Sequence, residues 1–166
     1  MKGLIRRGEN LDFIYKLGVQ RDGGEVIALL PRLAEFNHPE RLVAEDFWRS
    51  DVETVRRWQR GAEPKCFIML ARLKTEDLVG AALVRMMPEV MSRHPSCHLE
   101  AIIVDPASEG HGVGAALIAA AKSEAKGRGA LSMTLNVFET NRRARSLYDR
   151  LGFYDEIHRC ISVFDD

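Results

Sequence analysis

Apolar and polar positions alternate along DFIYKLGVQ (12–20), the period of a strand. Asp22 and Gly23 then supply a helix start, and Val26, Ile27, Leu29, Leu30 and Leu33 recur at helical spacing. Pro31 falls inside that helix and predicts a kink, because its ring removes a backbone donor. AEDFWRSDVETVRRWQRG reads as a second amphipathic helix, with Phe47, Trp48, Val52, Val55 and Trp58 available for packing. The period then shortens. CFIMLARL and LVGAALVRMM are apolar runs of strand length joined by the polar turn KTED, a hairpin. PEVMSRHPS is a loop, and CHLEAIIVDP is a strand ended by Asp-Pro, since proline supplies no ladder donor.

The glycine-bearing stretch EGHGVGAALIAAAKSEAKGRGA (109–130) reads as a loop and a long helix, followed by the strand LSMTLNVF. ETNRRARSLYDRLGF is a helix whose Leu147 and Leu151 share one face and whose Gly152 sits at the stop position. CISVF is expected as a closing strand. With no repeat, linker or low-complexity segment, the order is β-α-α-β-β-β-α-β-α-β, an α/β fold with a single-domain mixed sheet.

A chain of 166 residues fits one domain, expected over 1–166 with 1–10 as an N-terminal extension, and is long enough to bury a sizeable core. Lys plus Arg and Asp plus Glu both number 24, so no global field favours nucleic acid or an anionic membrane, and neither is expected as a partner. No apolar run is long enough to span a bilayer and none near the N-terminus forms a secretion signal, so a cytoplasmic location is expected. Cys66, Cys97 and Cys160 match no disulfide framework or metal spacing and read as reduced strand residues; the sharper alternative is a cysteine nucleophile. His38, His94 and His158 are scattered, and no metal is expected.

Gly110, Gly112 and Gly114 alternate directly before the helix, which costs backbone entropy and so suggests a use. A strand, a glycine-rich loop and a helix N-terminus together make an anion site, because the first helical N–H groups lack internal partners. A Walker A reading fails for want of Gly-Lys-Ser/Thr. The dinucleotide pattern G-x-G-x-x-A is met by GHGVGA, with Glu139 as a ribose-binding acid, yet DPASE intervenes after the strand and few residues remain for further parallel strands.

A longer match is present. Glu109, Gly112 and Gly114, in the frame Q/R-x-x-G-x-G/A, are followed by N-x-x-A-x-x-L-Y-x-x-L-G-F in Asn141, Ala144, Leu147, Tyr148, Leu151, Gly152 and Phe153. This run resembles the core of the GCN5-related N-acetyltransferase (GNAT) family, closely over 99–153 and in element order over nearly the whole chain. The resemblance implies the GNAT (acyl-CoA N-acyltransferase) topology and acetyl-CoA as co-substrate. The backbone amides of Gly110, His111, Gly112, Val113 and Gly114 would cradle its pyrophosphate. Ile102, Ile103 and Val104 would pair with the pantetheine arm, and Asn141 and Ala144 belong to the same coenzyme motif. Glu109 departs from the family's Gln or Arg, and a carboxylate pointing inward would repel a pyrophosphate; either it points to solvent or coenzyme affinity suffers.

Acetyl transfer to an amine needs a neutral nucleophile, a base or water chain to take its proton, and a proton for the departing thiolate. Tyr148 matches the family's tyrosine near the coenzyme sulfur and is the candidate acid. His98 and Glu100 lie two apart on one strand, facing the same way, and are the candidate bases. The resemblance places the acceptor among Glu35, Glu40, Glu45, Asp46, Glu89 and Glu100, with Phe36, Phe47 and Trp48 as apolar walls. Those acids suit a cationic amine such as a polyamine, an amino sugar or a lysine, or else form a solvated face. Homodimers are common among such relatives and are carried over as an expectation. The alternative function is a non-catalytic acyl-CoA-binding or regulatory module, which Glu109 favours.

Overall fold

A computed structural model describes residues 12–164, so the extension expected over 1–10 lies outside the described residues. Five strands form one sheet in chain order: β1 (Phe13–Leu17), β2 (Cys66–Leu73), β3 (Leu78–Pro88), β4 (Pro95–Val104) and β5 (Ser132–Leu135). All neighbours are antiparallel except β4 and β5, which run parallel. The parallel pair needs a crossover, and helix α3 (Val113–Gly127) supplies it.

Both faces of the sheet are covered. Helices α1 (Gly23–Leu29) and α2 (Arg49–Gln59), with Leu30 directly after α1, bury Val26, Leu30, Val55 and Trp58 against Ile68, Leu70, Leu83 and Ile103. On the opposite face α3 and α4 (Arg142–Arg150) pack Val113, Leu117, Ile118 and Tyr148 on Phe67, Val84, Cys97 and Leu99. Gly80 makes the second contact possible: a Cβ there would lie 3.0 Å from both the Ile103 carbonyl and Leu117 Cδ1. The disturbance expected at Pro31 takes the form of a change of helix type, with α1 passing into a 3₁₀ turn over Leu30–Ala34 that tolerates proline in its first positions.

One irregularity organises the site. Leu83 pairs with Ala101 and Val84 with Leu99, so Glu100 is an extra residue, a bulge on β4. Before it Cys97 and Leu99 point into the α3/α4 core; beyond it Ala101 and Ile103 point to the α1/α2 side, while Ile102 and Val104 pack against the α3/α4 core. An inserted residue flips the face of every side chain after it. The β4–β5 ladder ends with Leu99 and Leu135, close to the bulge, so the far edge of β4 from Glu100 onward has no β5 neighbour.

The closing strand expected at CISVF is not formed. Residues 154–164 carry neither helix nor strand, and Ile157, Ile161, Val163 and Phe164 are exposed. An apolar run marks a segment that can pair, but a strand exists only where another strand's backbone takes its hydrogen bonds. Cys160 is accordingly exposed, whereas Cys66 and Cys97 are buried strand residues as expected. No helix among the described residues is long and apolar enough to cross a membrane.

Candidate active site

The loop between β4 and α3 is built for close approach. Gly110 and Gly112 have φ of +77° and +78°, a left-handed backbone that glycine adopts without steric cost, and Gly112 caps α3. Gly114 has no left-handed φ and stands where α3 and α4 meet, a Cβ there lying 3.4 Å from Leu147 Cδ2, at the edge of ordinary van der Waals contact. Gly110, His111 and Gly112 form no backbone N–H bond among the described residues, and the amides of Val113 and Gly114 open the helix, so a row of donors faces outward. His111 bends back, Nδ1 donating to the Glu109 carbonyl at 2.9 Å. These amides and the open edge of β4 along Ile102, Ile103 and Val104 fit a pyrophosphate with an extended amide-bearing arm.

Glu109 does not point to solvent. One carboxylate oxygen accepts from Arg32 Nη2 at 2.9 Å and the other pairs with Arg143 Nη1 at 2.8 Å. Burial alone would raise this carboxyl, but the hydrogen bonds from Arg143 and Arg32 outweigh it and hold the group below the usual carboxylate range. Asn141 caps α4, its side-chain oxygen accepting from the Ala144 amide at 3.2 Å, and Ala144 packs against the α3/α4 core. Both positions thus shape the start of α4 beside the loop.

Tyr148 lies on α4 with 8% of its surface exposed, its ring 5.7 Å from Phe153, and burial pushes its phenol up to about 12. It therefore keeps its proton at neutral pH. His98 sits where β4 and β5 part. Its Nδ1 lies 2.8 Å from Thr134 Oγ1 and its Nε2 3.4 Å from Asn136 Nδ2. An amide nitrogen only donates, so Nε2 carries the lone pair and Nδ1–H donates to Thr134. Burial pushes the imidazole down, Glu100 opposes and Arg85 adds to the shift, so His98 is neutral and able to accept a proton at pH 7.

Glu100 is differently placed. Its carboxylate accepts from Arg85 Nε and, at 3.3 Å, from Arg85 Nη2; Arg85 Nη1 also reaches Glu63 at 2.8 Å. The bulge thus delivers Glu100 into an ion cluster under α2, with Thr54, Cys66 and buried Asp51 nearby. Cys66 and Cys97 are pushed up to about 11 by burial, which leaves thiols rather than thiolates and argues against a cysteine nucleophile. Among the described residues no cluster of His, Cys, Asp or Glu could hold a metal ion.

The acids expected around the acceptor are mostly engaged. Glu35 pairs with Arg32 at 2.7 Å, and Asp46 accepts from the Val43 amide. Glu89 accepts from the Met91 and Ser92 amides of its own turn, which hold it down at about 2. Trp48 packs with the α1/α2 core. Phe36 and Phe47 form a wall with two residues that the sequence did not single out for it: Phe138 lies 5.5 Å and 5.4 Å from their centroids, and His38 lies 5.9 Å and 4.8 Å away. A cavity of about 590 Å³ is lined by Asn37, Glu139, Thr140, Arg142 and Arg145, of which Asn37 and Glu139 directly follow Phe36 and Phe138 in the chain. Sequence reasoning also missed Arg32, Arg85 and Arg143, because ion pairs between distant segments leave no periodic trace.

A mixed sheet splayed beside a β4 bulge, with a glycine loop opening α3, defines an acyl-CoA N-acyltransferase type of fold. Residues 26–153 match the family model described as the acetyltransferase (GNAT) family, and the chain belongs to that family. An uncharacterized N-acetyltransferase of Bacillus subtilis (strain 168), YhfO, is 37% identical over 68 residues, which is 39% of this chain and 46% of that protein, so the match spans about half the length of this relative. Ribosomal-protein-alanine N-acetyltransferase from Brucella melitensis biovar Abortus 2308 shares the fold at 20% identity, with a TM-score of 0.68 over 93% of this chain and 100% of its own. AAC(6')-Iy, solved in complex with the bisubstrate analog CoA-S-monomethyl-acetylneamine, gives a TM-score of 0.68 at 20% identity, covering 93% of this chain and 99% of its own.

Proposed function

We propose that the protein is an acetyl-CoA-dependent N-acetyltransferase that acts on a primary amine. The observation that carries this reading is the bare loop amides of Gly110, His111 and Gly112 following a β4 edge that has no β5 neighbour, on a chain of the acetyltransferase (GNAT) family; a neutral His98 on β4 and a protonated Tyr148 on α4 are the groups that could move protons. The loop would hold the pyrophosphate, and the backbone of Ile102–Val104 would pair with the pantetheine arm. The acetyl thioester supplies the activated carbonyl. His98 Nε2 takes the proton of the acceptor amine, directly or through water, and Tyr148 gives its proton to the departing thiolate sulfur. Glu100, held by Arg85, supports the imidazolium formed at His98 and is a positioning residue, because its oxygens are already taken by the guanidinium. Holding amine and thioester in line supplies a further large part of the rate, and no covalent acyl-enzyme is required.

For the acceptor, the rings of Phe36, Phe47 and Phe138 favour an amine with an apolar or aromatic flank over a highly charged polyamine, since most nearby acids are paired within the protein. Neighbours of this fold bear names that point to a protein alanine and to a neamine derivative, so the fold alone does not choose. The test is release of free thiol from acetyl-CoA with a panel of arylalkyl amines, amino sugars, polyamines and peptides. Amine-dependent release is expected. Coenzyme binding with no release for any amine would instead support the non-catalytic module.

A further inference from the structure

The family frame calls for Gln or Arg where this chain has Glu109, and the structure answers that departure with two arginines. Arg32 comes from the 3₁₀ turn after α1 and Arg143 from the first turn of α4, on opposite sides of the coenzyme loop. Each takes one oxygen of Glu109, at 2.9 and 2.8 Å. Glu109 and its two arginines sum to one positive charge, and Glu35, which shares Arg32 with Glu109, brings the four side chains to neutrality, so Arg143 is the cation that balances Glu109. Arg32 is held on its other side by Glu35 and is largely buried, whereas 71% of the Arg143 side chain is exposed, so it can turn from Glu109 toward a ligand at the loop.

We propose that Arg143, backed by Arg32, supplies the positive charge that lets this loop accept the coenzyme pyrophosphate despite Glu109, and so acts as a specificity residue for the phosphate-bearing half of coenzyme A. The proposal rests on the acetyl-CoA reading. Without Arg143 the loop would present a half-neutralised carboxylate next to a polyanion, and the bare amides alone would have to overcome that repulsion. Neutralising Glu109 removes the need for the second arginine. Arg143 is mostly exposed and Glu109 keeps Arg32 as a partner, so removing Arg143 costs little folding free energy and tests binding rather than stability.

The experiment is titration calorimetry of the wild type, R143A, E109Q and E109Q/R143A with coenzyme A, 3'-dephospho-coenzyme A and pantetheine, at fixed ionic strength. R143A is expected to weaken coenzyme A and its dephospho form alike, by about tenfold, the size of one charge-assisted contact, and to leave pantetheine unchanged. E109Q alone is expected to bind coenzyme A at least as well as the wild type, and the double variant to regain most of the loss. Equal weakening for pantetheine, no weakening for coenzyme A, a loss confined to coenzyme A and absent for its dephospho form, or no recovery in the double variant would each overturn the assignment. A wild-type chain that binds none of the three ligands would overturn the acetyl-CoA reading itself.

Discussion

Asp51 stands in the first turn of α2 with 9% of its surface exposed and accepts no hydrogen bond among the described residues. Burial pushes its carboxyl from 3.8 up to about 7; the charge of Glu100 adds to this and Arg85 opposes it. The fold therefore binds the Asp51 proton more tightly than the unfolded chain does. Below pH 4 both states are protonated and the site costs nothing. As pH rises the unfolded chain ionises first, and the cost grows at about 1.4 kcal/mol per pH unit until the folded group also ionises near 7. Across that window the penalty reaches about 4 kcal/mol, a large share of the 5 to 15 kcal/mol typical of a domain. Asn has the same shape and cannot ionise, so Asp51→Asn is expected to stabilise the protein by roughly 3 to 4 kcal/mol at pH 8 and by nearly nothing at pH 4. Urea unfolding of both proteins at pH 4, 6 and 8 measures the difference. A gain that does not change with pH, or a variant less stable than the wild type at pH 8, would refute the reasoning.

Tyr148→Phe should lower kcat by about 100-fold or more while retaining the packing with Phe153, so thermal unfolding that shifts little beside a collapsed rate separates acid catalysis from structure. In the wild type kcat/KM should fall as pH drops through a midpoint below 6.5, because His98 must be neutral to accept a proton and burial lowers its pKa; His98→Gln should abolish that limb along with most activity. Leu117, fully buried between α3 and the sheet, should cost about 2 to 5 kcal/mol when replaced by Ala, read as a drop in the urea midpoint with unchanged slope.

Much of the architecture was legible because it rests on local period. CFIMLARL and LVGAALVRMM became β2 and β3 at nearly the expected bounds, and Gly152 ends α4 with φ of +79°. Gly110 and Gly112 betrayed the loop because a left-handed backbone all but demands glycine. CISVF failed for the converse reason: its period was right, but no neighbouring backbone takes its hydrogen bonds.

The sequence by itself determined the helical segments, the glycine loop and the candidacy of His98 and Glu100 from residue type and spacing within one element, and that of Tyr148 from its match to the family motif. Only the tertiary structure decided their surroundings. The bulge at Glu100, set by the register between β3 and β4, sends that carboxylate to Arg85, while His98 reaches Thr134 across the parallel pair. Arg32 and Arg143 meet at Glu109 from distant segments. Charge and hydrogen bonding act through space over a few ångströms, and closeness in space between residues far apart in the chain exists only once the sheet and its two helical layers have closed around the site.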